Sequence, residues 1–476
     1  MKITALDIVG AVEGTLLQGC PEQIFTSVST DTRILQPGGL FFALKGTSND
    51  GHDFLPDAER RGAAGAVVTR RPEGVKATLA LIQVKDTLAA LGKSAGWWRR
   101  RFDIPCLAVT GSSGKTTTKE MAAKILSGRF PTLANEENLN TEIGVPLTLF
   151  RLEDYHRALA LELAMRGKGQ IAHLAAMLEP VVGVITNVGT AHLGLLGSTE
   201  AIREAKLELA GCLKAGGSLV VPADDPVLKE KALQKAEKVV TFGFGMDSDI
   251  RGAEVAADGP GASFKVHFRQ ETAEVHLPVP GMHNVLNALA AMAAATQLGV
   301  GLAEAAAALE SFQPLRMRCQ AVQTAAGVTI LNDSYNANPE STRAALRVLS
   351  VWPCEGKRIA VLGDMLELGD FGREAHLQTG REAATLGVDM ILAVGDLAEA
   401  IAEGAQATEG FKGEVHRCRT KQDAMELLLN AIRPGSVVLV KGSRMTGMDE
   451  VVRALQDDSF RAAPSGSESS GRAVSY

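Results

Sequence analysis

"LAVTGSSGKTTTKEM", Leu107–Met121, runs from apolar residues through glycines and small polar residues into helix formers. It reads as a buried strand, a phosphate-binding turn and the start of a helix. The full phosphate-loop pattern G-x4-G-K-[ST] needs glycine at position 109, where this chain has Val109 and offers Gly111 and Gly114 instead. The loop is a shortened variant whose physics is intact. Gly111, Ser112, Ser113 and Gly114 let backbone N–H groups turn toward phosphate, and the helix that follows through Thr117 adds its positive end. Lys115 reaches the terminal phosphates, and the Thr116 hydroxyl can ligate Mg²⁺. Phosphate binding alone does not separate a kinase, a motor, a switch or a ligase, so the rest of the chain must say which group receives the phosphate.

With 476 residues the chain is long enough for three cores at about 150 residues each. Its 46% hydrophobic and 22% charged residues are those of a globular protein rather than a disordered or fibrous one. A net charge of -6 argues against the basic face that nucleic-acid binding needs. The one compact basic run, "WWRRRF" (Trp97–Phe102), reads as a solvated helix end. The six cysteines are scattered, with no CxxC pair and no zinc spacing, as expected of free thiols in a reducing compartment. Asp7 interrupts what would be a signal peptide's apolar stretch, and no apolar run reaches a membrane span of about 18 residues, so a cytoplasmic protein without integral membrane contact, and a monomer, is expected.

Outward from the loop, the pattern divides into three α/β units and a tail. Residues 1–103 hold short strands ("GLFFAL", "GAVVT", "LALIQV") around one helical stretch, "HDFLPDAERRGA". Residues 104–313 alternate apolar runs ("CLAVT", "ALALELA", "VVGVITNV", "GSLVVP") with helices, the pattern of a parallel sheet covered on both faces. "KVVTFGFG", "FKVHF" and "EVHLPV" then read as an antiparallel annex, and an Ala-rich helix ends near Gly299. Residues 314–457 repeat strand and helix in a Rossmann-like order, from "VTILNDSY" to "SVVLVKGS". Residues 458–476, rich in Ser, Gly and Ala, are expected to be a disordered tail.

Three further residues stand where chemistry is possible. Glu162 ends an apolar run too buried for a lone carboxylate, which suits a Mg²⁺ ligand or, alternatively, a salt bridge to a helix Arg or Lys. His192 in "TNVGTAHLG" lies at a strand's carboxyl end, where open parallel sheets bind ligands, although a satisfied polar residue fits as well. Lys206 in "STEAIREAKLELA" reads locally as helix surface, since an ammonium cannot ligate Mg²⁺.

In order, "TGSSGKTTTK", "NEENLNTEIGVPLTL", "LELAMRGKGQI", "TNVGTAHL", "EAKLEL", "PGMHNVLNALAAMA", "LRM", "NDSYNANPES", "LGDMLELG" and "KGSR" resemble the Mur ligases, ATP-dependent enzymes that extend the peptide of peptidoglycan precursors. "STDTRILQPGGLFFALKGTSNDGHDF" is similar to the UDP-binding N-terminal domain of the members that add the later residues. The resemblance implies a small UDP-binding domain, a central phosphate-loop ATPase domain and a C-terminal Rossmann-like domain. The Asn-Pro-Arg motif of the diamino-acid-adding members is not found, whereas "NDSYNANPES", "GDMLELG" and "VLVKGSRMTGMDEVV" look like the members that add D-alanyl-D-alanine. The implied recipient of the phosphate is then a carboxylate. ATP would phosphorylate the terminal carboxylate of UDP-MurNAc-tripeptide, the amine of D-alanyl-D-alanine would attack the acyl phosphate, and two Mg²⁺ ions would assist.

Carried over motif by motif, the loop from Gly111 to Thr117 would cradle the phosphates, with Thr116 and Glu162 holding one Mg²⁺ and His192 the second. Lys206 takes the place of the family lysine that CO2 carbamylates, which turns a cation into a carboxylate-like ligand. Asn284 and Asn287, beside His283, would face adenine; Arg316 would lie near the nucleotide and Asp333 near the ribose. Thr30, Asp31, Arg33, Lys45, Asp50, Gly51 and His52 match the uridine-diphosphate segment, and Asn138, Asn140 and Thr141 the muramoyl-peptide segment. Tyr335, Asn336, Asn338, Lys441, Ser443 and Arg444 are the candidates for the dipeptide pocket, whose ligand ends in a carboxylate. The chain departs from the family at Ser112 and Ser113, where Asn is frequent, and at Arg318, where an acid is common.

Three rivals remain. A diamino-acid-adding Mur ligase and a folylpolyglutamate synthase share the ATP domain, although the "DTR…DGHDF" segment disfavours the folate enzyme. A non-catalytic nucleotide-binding scaffold could keep the fold, but would have no reason to keep Lys115, Thr116, Glu162, His192 and Lys206 together.

Overall fold

The computed structural model describes residues 1–72, 78–136 and 138–457. The expected tail, 458–476, lies outside these residues. In the N-terminal part, the apolar runs pair into a five-stranded sheet in the order Thr15–Gln18, Ala80–Gln83, Gly65–Val68, Leu40–Phe42, Val28–Ser29. Only the first pairing is antiparallel. Helix Thr87–Arg99 follows, started by Asp86, whose carboxylate accepts from the N–H groups of Leu88 and Ala89 at 2.8 and 3.0 Å. The basic run at its end is not simply solvated. Arg99 is buried and donates to the carbonyls of Leu178, Phe102 and Ile104, while Arg101 lies over the rings of Trp97 and Trp98 at 5.2 and 5.5 Å. Arginine serves here because its five donors can satisfy several carbonyls at once at a closely packed junction.

The central sheet has nine strands. Strand β1 (Cys106–Thr110) leads to helix α1 (Lys115–Ser127), strand β2 is Ala158–Glu162, strand β3 Val182–Ile185, helix α2 Thr199–Leu207 and helix α3 Met282–Gln297. β1 sits between β2 and β3, all parallel, so the chain leaves β1 to one side and returns to the other. That is the switch point at which open α/β sheets form a crevice at their carboxyl ends. The expected antiparallel annex is shorter than its sequence suggests. Lys238–Gly243 and Ile250–Ala256 extend the parallel sheet, and only Ala262–Phe268 and Glu271–Leu277 run antiparallel. The second of these parallel strands pairs only at the end of the first, Phe242 with Ile250 and Gly243 with Arg251, so the stagger removes the need for a long crossover. Residues Ala288–Ala295 of α3 are fully buried, and their small side chains let the helix lie close to the sheet and α1.

Beyond it, strand β4 (Thr329–Asp333), helix α4 (Pro339–Val351) and strand β5 (Val437–Lys441) belong to a six-stranded sheet. β5 pairs parallel with β4 and with Arg358–Gly363, and Met390–Val394 and Glu414–Cys418 continue the sheet. Gln320–Gln323 is the antiparallel edge. No helix of the described residues is long and apolar enough to cross a membrane.

Candidate active site

The phosphate loop is held from beneath. A side chain at Gly111 would bring a Cβ within 1.8 Å of Thr186 Oγ1, and Gly114, at φ +75°, faces Asn287 Oδ1 so closely that a Cβ would come within 2.3 Å. Asn187 brackets Ser113, accepting from its N–H at 3.0 Å and donating to its carbonyl at 3.1 Å, while Thr186 Oγ1 donates to the same carbonyl at 2.6 Å. Ser112 Oγ accepts from the Gly189 N–H at 2.9 Å. The two serines, departures from the family pattern, thus tie the loop to the end of β3. Lys115 Nζ turns back to the Gly111 carbonyl at 2.9 Å, and burial pulls its pKa down. Gly114→Ala combines a left-handed backbone with a clash, so it is expected to cost about 2 kcal/mol or more of stability and most of the affinity for ADP, read by urea unfolding and calorimetry.

Glu162, at the end of β2, is 3% exposed, and its polar partners are neutral. Thr116 Oγ1 donates to Oε2 at 2.7 Å and Asn140 Nδ2 to Oε1 at 2.8 Å. Asn135 clasps its backbone from both sides, at 2.9 and 3.1 Å. The alternative of a salt bridge is not what the structure has: among the described residues Glu162 forms no ion pair, and the positive field of Lys115 is what faces it. Arg318, from the turn before the edge strand Gln320–Gln323, donates through Nη2 to Thr116 Oγ1 at 2.8 Å.

His192 caps the short helix Leu193–Leu196 in a left-handed conformation (φ +65°). Its Nδ1 stands 2.8 Å from Glu367 Oε2, off the direction of a hydrogen bond. Burial, then the charge of Lys115, holds this imidazole below its usual pKa. Lys206, in α2, is 1% exposed and has no hydrogen-bond or ion-pair partner among the described residues. Burial and then the charge of Lys115 push its pKa well below 10.5. Burial therefore favours the neutral amine over the ammonium, a property that its helical sequence conceals.

Among the described residues no group of three or more His, Cys, Asp or Glu could hold a metal unaided. A hydroxyl and a carboxylate at Thr116 and Glu162 nevertheless fit Mg²⁺, which is bound by one or two protein oxygens and completed by phosphate and water.

The third unit docks on this crevice. Glu340 Oε1, on α4, accepts from the N–H and Oγ1 of Thr190 at 2.8 and 2.9 Å, and Gly194 packs so closely on Gly369 that a Cβ there would come within 2.6 Å of its nitrogen. A cleft of about 440 Å³ lies between, lined by Thr190, Leu193, Glu340, Leu368 and Phe371 among others.

Comparison with known families finds the Mur ligase family catalytic domain over residues 24–97, the Mur ligase middle domain over 109–295 and the Mur ligase glutamate ligase domain over 317–444. The chain belongs to the Mur ligase family. It is 38% identical to the UDP-N-acetylmuramoyl-tripeptide--D-alanyl-D-alanine ligase of Escherichia coli, over 96% of this chain and 99% of that one. Its fold matches a crystal structure of MurF from Acinetobacter baumannii with a TM-score of 0.89 at 36% identity, covering 96% and 99% of the two chains. MurF ligase from Thermotoga maritima in complex with ADP matches with a TM-score of 0.81 at 27% identity, covering 90% and 97%.

In this Mur ligase, several residues expected to face ligands are used internally. Asn287 lies under Gly114, accepts from Thr118 Oγ1 at 3.3 Å and donates to Asn284 Oδ1 at 3.1 Å; Asn284 in turn donates to the Pro280 carbonyl at 2.8 Å. Both amides are buried and support the loop. Asp333 accepts from Cys319 N at 2.9 Å and pairs with Lys441 Nζ at 2.6 Å; Lys441, 2% exposed, also donates to the Asn336 carbonyl. Ser443 Oγ accepts from Leu366 N, and Asn338 caps α4 through Ser341 N at 2.8 Å; of the other dipeptide candidates, Asn336 and Arg444 are exposed, with Asn336 Oδ1 accepting from Arg444 N at 3.3 Å, and Tyr335 is half-buried under the Arg318 guanidinium. Arg316 is exposed beside a separate cavity of about 270 Å³ against helix Asp449–Gln456.

The N-terminal candidates divide in the same way. Asp50 accepts from the His52 N–H and Nδ1 at 3.0 and 2.6 Å and from Arg70 at 3.0 Å, contacts that hold its carboxyl well below the usual range. His52 also accepts from Thr69 N at 3.0 Å, and Gly51 leaves no room for a Cβ against Leu44, so these three build the turn. Asp31 is engaged by Arg33, while Thr30, Lys45, Asn138 and Thr141 are open or half-open to ligand.

Sequence reasoning missed Asn135, Thr186, Asn187, Glu340 and Glu367 as site-building residues, although all but Asn135 and Glu340 fall in motifs with a recognisable glycine turn. His283 adds a pH test. Burial lowers it to about 4 from 6.5, so the unfolded chain binds the extra proton first and stability falls as pH drops through that window. The loss is at most about 3 kcal/mol, and His283→Gln is expected to flatten it in urea titrations at pH 7 and 4.5.

Proposed function

We propose that this Mur ligase joins D-alanyl-D-alanine to the terminal carboxylate of UDP-N-acetylmuramoyl-tripeptide with cleavage of ATP, giving UDP-MurNAc-pentapeptide. The observation that carries the reading is the convergence of Lys115, Thr116, Glu162, His192 and Lys206, from separate segments, on the carboxyl edge of the parallel sheet. In this reading a carboxylate oxygen attacks the γ-phosphorus and ADP departs. The dipeptide amine then attacks the acyl carbon and phosphate departs, the amine losing its proton. A free carboxylate would have to expel oxide, which is why the phosphate must be installed first.

The protein's work is positioning and charge neutralisation. Lys115, once lifted from the Gly111 carbonyl, offsets the repulsion between carboxylate and γ-phosphate. Thr116 and Glu162 would hold one Mg²⁺, and His192 with carbamylated Lys206 the second. Bound there, the ions supply charge neutralisation at the phosphates and the reacting carboxylate. In this reading Tyr335, Asn336 and Arg444 would meet the dipeptide, Arg444 supplying the cation for its carboxylate.

The test is phosphate release from ATP and Mg²⁺ with UDP-MurNAc-tripeptide, with and without D-alanyl-D-alanine, beside UDP-MurNAc-dipeptide plus a diamino acid. Release is expected only when tripeptide and D-alanyl-D-alanine are both present. Release only with the second pair would move the assignment to the diamino-acid-adding members, and nucleotide binding without turnover would make the chain a scaffold.

A further inference from the structure

Glu367 stands in the left-handed region, at φ +64°, in the loop that leaves strand Arg358–Gly363. A glutamate there carries backbone strain, on the order of 1 kcal/mol, that glycine would avoid. The kink buries Met365 and Leu368 on either side and turns the Glu367 carboxylate toward the central unit, 2.8 Å from His192 Nδ1 and 3.3 Å from Arg166 Nη2. Neither contact accounts for the carboxylate. The first is off the direction of a hydrogen bond, and the second joins an arginine that is 75% exposed, a pair that contributes little in water.

A second loop is tied to this one. Strand Arg358–Gly363 pairs parallel with β5, so both loops leave the carboxyl edge of the third unit's sheet, where such sheets bind ligands. Ser443 N donates to the Asp364 carbonyl at 3.0 Å, and Leu366 N donates to Ser443 Oγ at 2.9 Å. One residue beyond these partners come Glu367 and Arg444. Arg444 lies 5.4 Å from the centroid of the Tyr335 ring and forms no ion pair among the described residues. An anion and a cation, not paired with each other, therefore stand beyond the ends of neighbouring strands about 5 Å apart. A dipeptide spans about 7 Å at most between its two charged ends, which is the scale of that gap with its loops.

We propose that Glu367 binds the ammonium of the incoming D-alanyl-D-alanine, opposite Arg444 at its carboxylate, and so sets the requirement for a free amino terminus. The proposal rests on the ligase reading and adds to it the group that recognises the nucleophile. An α-amino group of pKa about 8 arrives charged at neutral pH, and hydroxyls, amides and cations alone would give it no anionic partner. Glu162 is already engaged by Thr116 and Asn140, whereas Glu367 is a carboxylate that the third unit brings beside His192. An amine held there is delivered to the edge where the ligase reading places the reacting carboxylate.

The experiment compares wild type, Glu367→Gln and Arg166→Ala as full-length protein, loaded with Mg²⁺, UDP-MurNAc-tripeptide and a non-hydrolysable ATP analogue. Calorimetry reads the affinity for D-alanyl-D-alanine and for propionyl-D-alanine, which lacks only the amine. Wild type is expected to prefer D-alanyl-D-alanine about tenfold or more, and Glu367→Gln to lose that preference by weakening D-alanyl-D-alanine alone, because a charge-assisted bond becomes a neutral one. In turnover the same variant should raise KM for D-alanyl-D-alanine about tenfold, with KM for the tripeptide and the Mg²⁺ needed for half-maximal rate within about twofold of wild type. Arg166→Ala, which removes the ion pair between units but keeps the carboxylate, should retain the preference. Equal weakening of both ligands by Glu367→Gln, a preference that survives it, or a changed Mg²⁺ requirement with unchanged affinity would overturn the proposal while leaving the ligase reading in place. Wild type that binds neither dipeptide would sink the ligase reading itself, and the role of Glu367 with it.

Discussion

Lys206→Met is expected to abolish ligation, with kcat lowered about a thousandfold or more, and at the same time to make the protein more stable. The two effects have one cause. The Lys206 side chain is 1% exposed and no described residue pairs with it, so the native fold holds an amine where its charged form is disfavoured. The sign follows from proton counting. The folded pKa lies below the ordinary 10.5, the unfolded chain binds the extra proton between the two values, and stability therefore rises with pH across that window. Lys206 thus costs stability at neutral pH and nothing above about 10.5, where both states are neutral. Methionine matches the length of the lysine stem and removes the cost, so in CO2-free buffer its thermal midpoint should exceed that of wild type at pH 7, with the difference closing toward pH 10.5. A variant that retains turnover, or is less stable at pH 7, would contradict this account of Lys206.

The second large effect is expected at Glu162→Gln, with kcat lowered about a thousandfold and the Mg²⁺ needed for half-maximal rate raised about tenfold or more. Glutamine is isosteric, and its amide oxygen can still accept from Thr116 Oγ1 or Asn140 Nδ2, so little of the network at 2.7 and 2.8 Å need be lost. What disappears is the negative charge. Because the direct partners of Glu162 are neutral, folding stability should change by no more than about 1 kcal/mol, which separates a metal ligand from a structural carboxylate. Loss of stability with an unchanged Mg²⁺ requirement would make Glu162 a packing residue.

The parts legible in the sequence are those whose physics is local. "TGSSGKTTT" carries its own turn, helix start and lysine, and Glu162 betrays itself as a carboxylate ending an apolar strand. The units around β1 and β5 follow from runs of four or five apolar residues. Strands at the margins were hidden because their sequence is polar or short: Gln320–Gln323 alternates half-buried and exposed residues, Glu414–Cys418 buries only Cys418, and Thr132–Ala134 has three residues. Lys206 was illegible for a different reason. Glu200, Arg203 and Glu204 give its helix a polar face, and only packing from other segments shows that the lysine lies on the opposite side. The family resemblance alone implies that role; the structure shows the burial of the side chain. Asn287 likewise meets Gly114 and Thr118 from far along the chain, so its role beneath the loop had no local signal. The two arginines of "LRMRC" could not be told apart until the left-handed Met317 and Cys319 were seen to send them to different places.

The central claim is that a substrate carboxylate receives the phosphate held by the loop from Gly111 to Thr117. Isotope transfer tests it most directly. UDP-MurNAc-tripeptide labelled with ¹⁸O in its terminal carboxylate is incubated with ATP, Mg²⁺ and D-alanyl-D-alanine, and the phosphate and the peptide product are read by mass spectrometry. The account predicts one ¹⁸O in each phosphate released, with the other retained in the new amide of UDP-MurNAc-pentapeptide. Unlabelled phosphate released alongside that product would show that no acyl phosphate is formed, and would contradict the account.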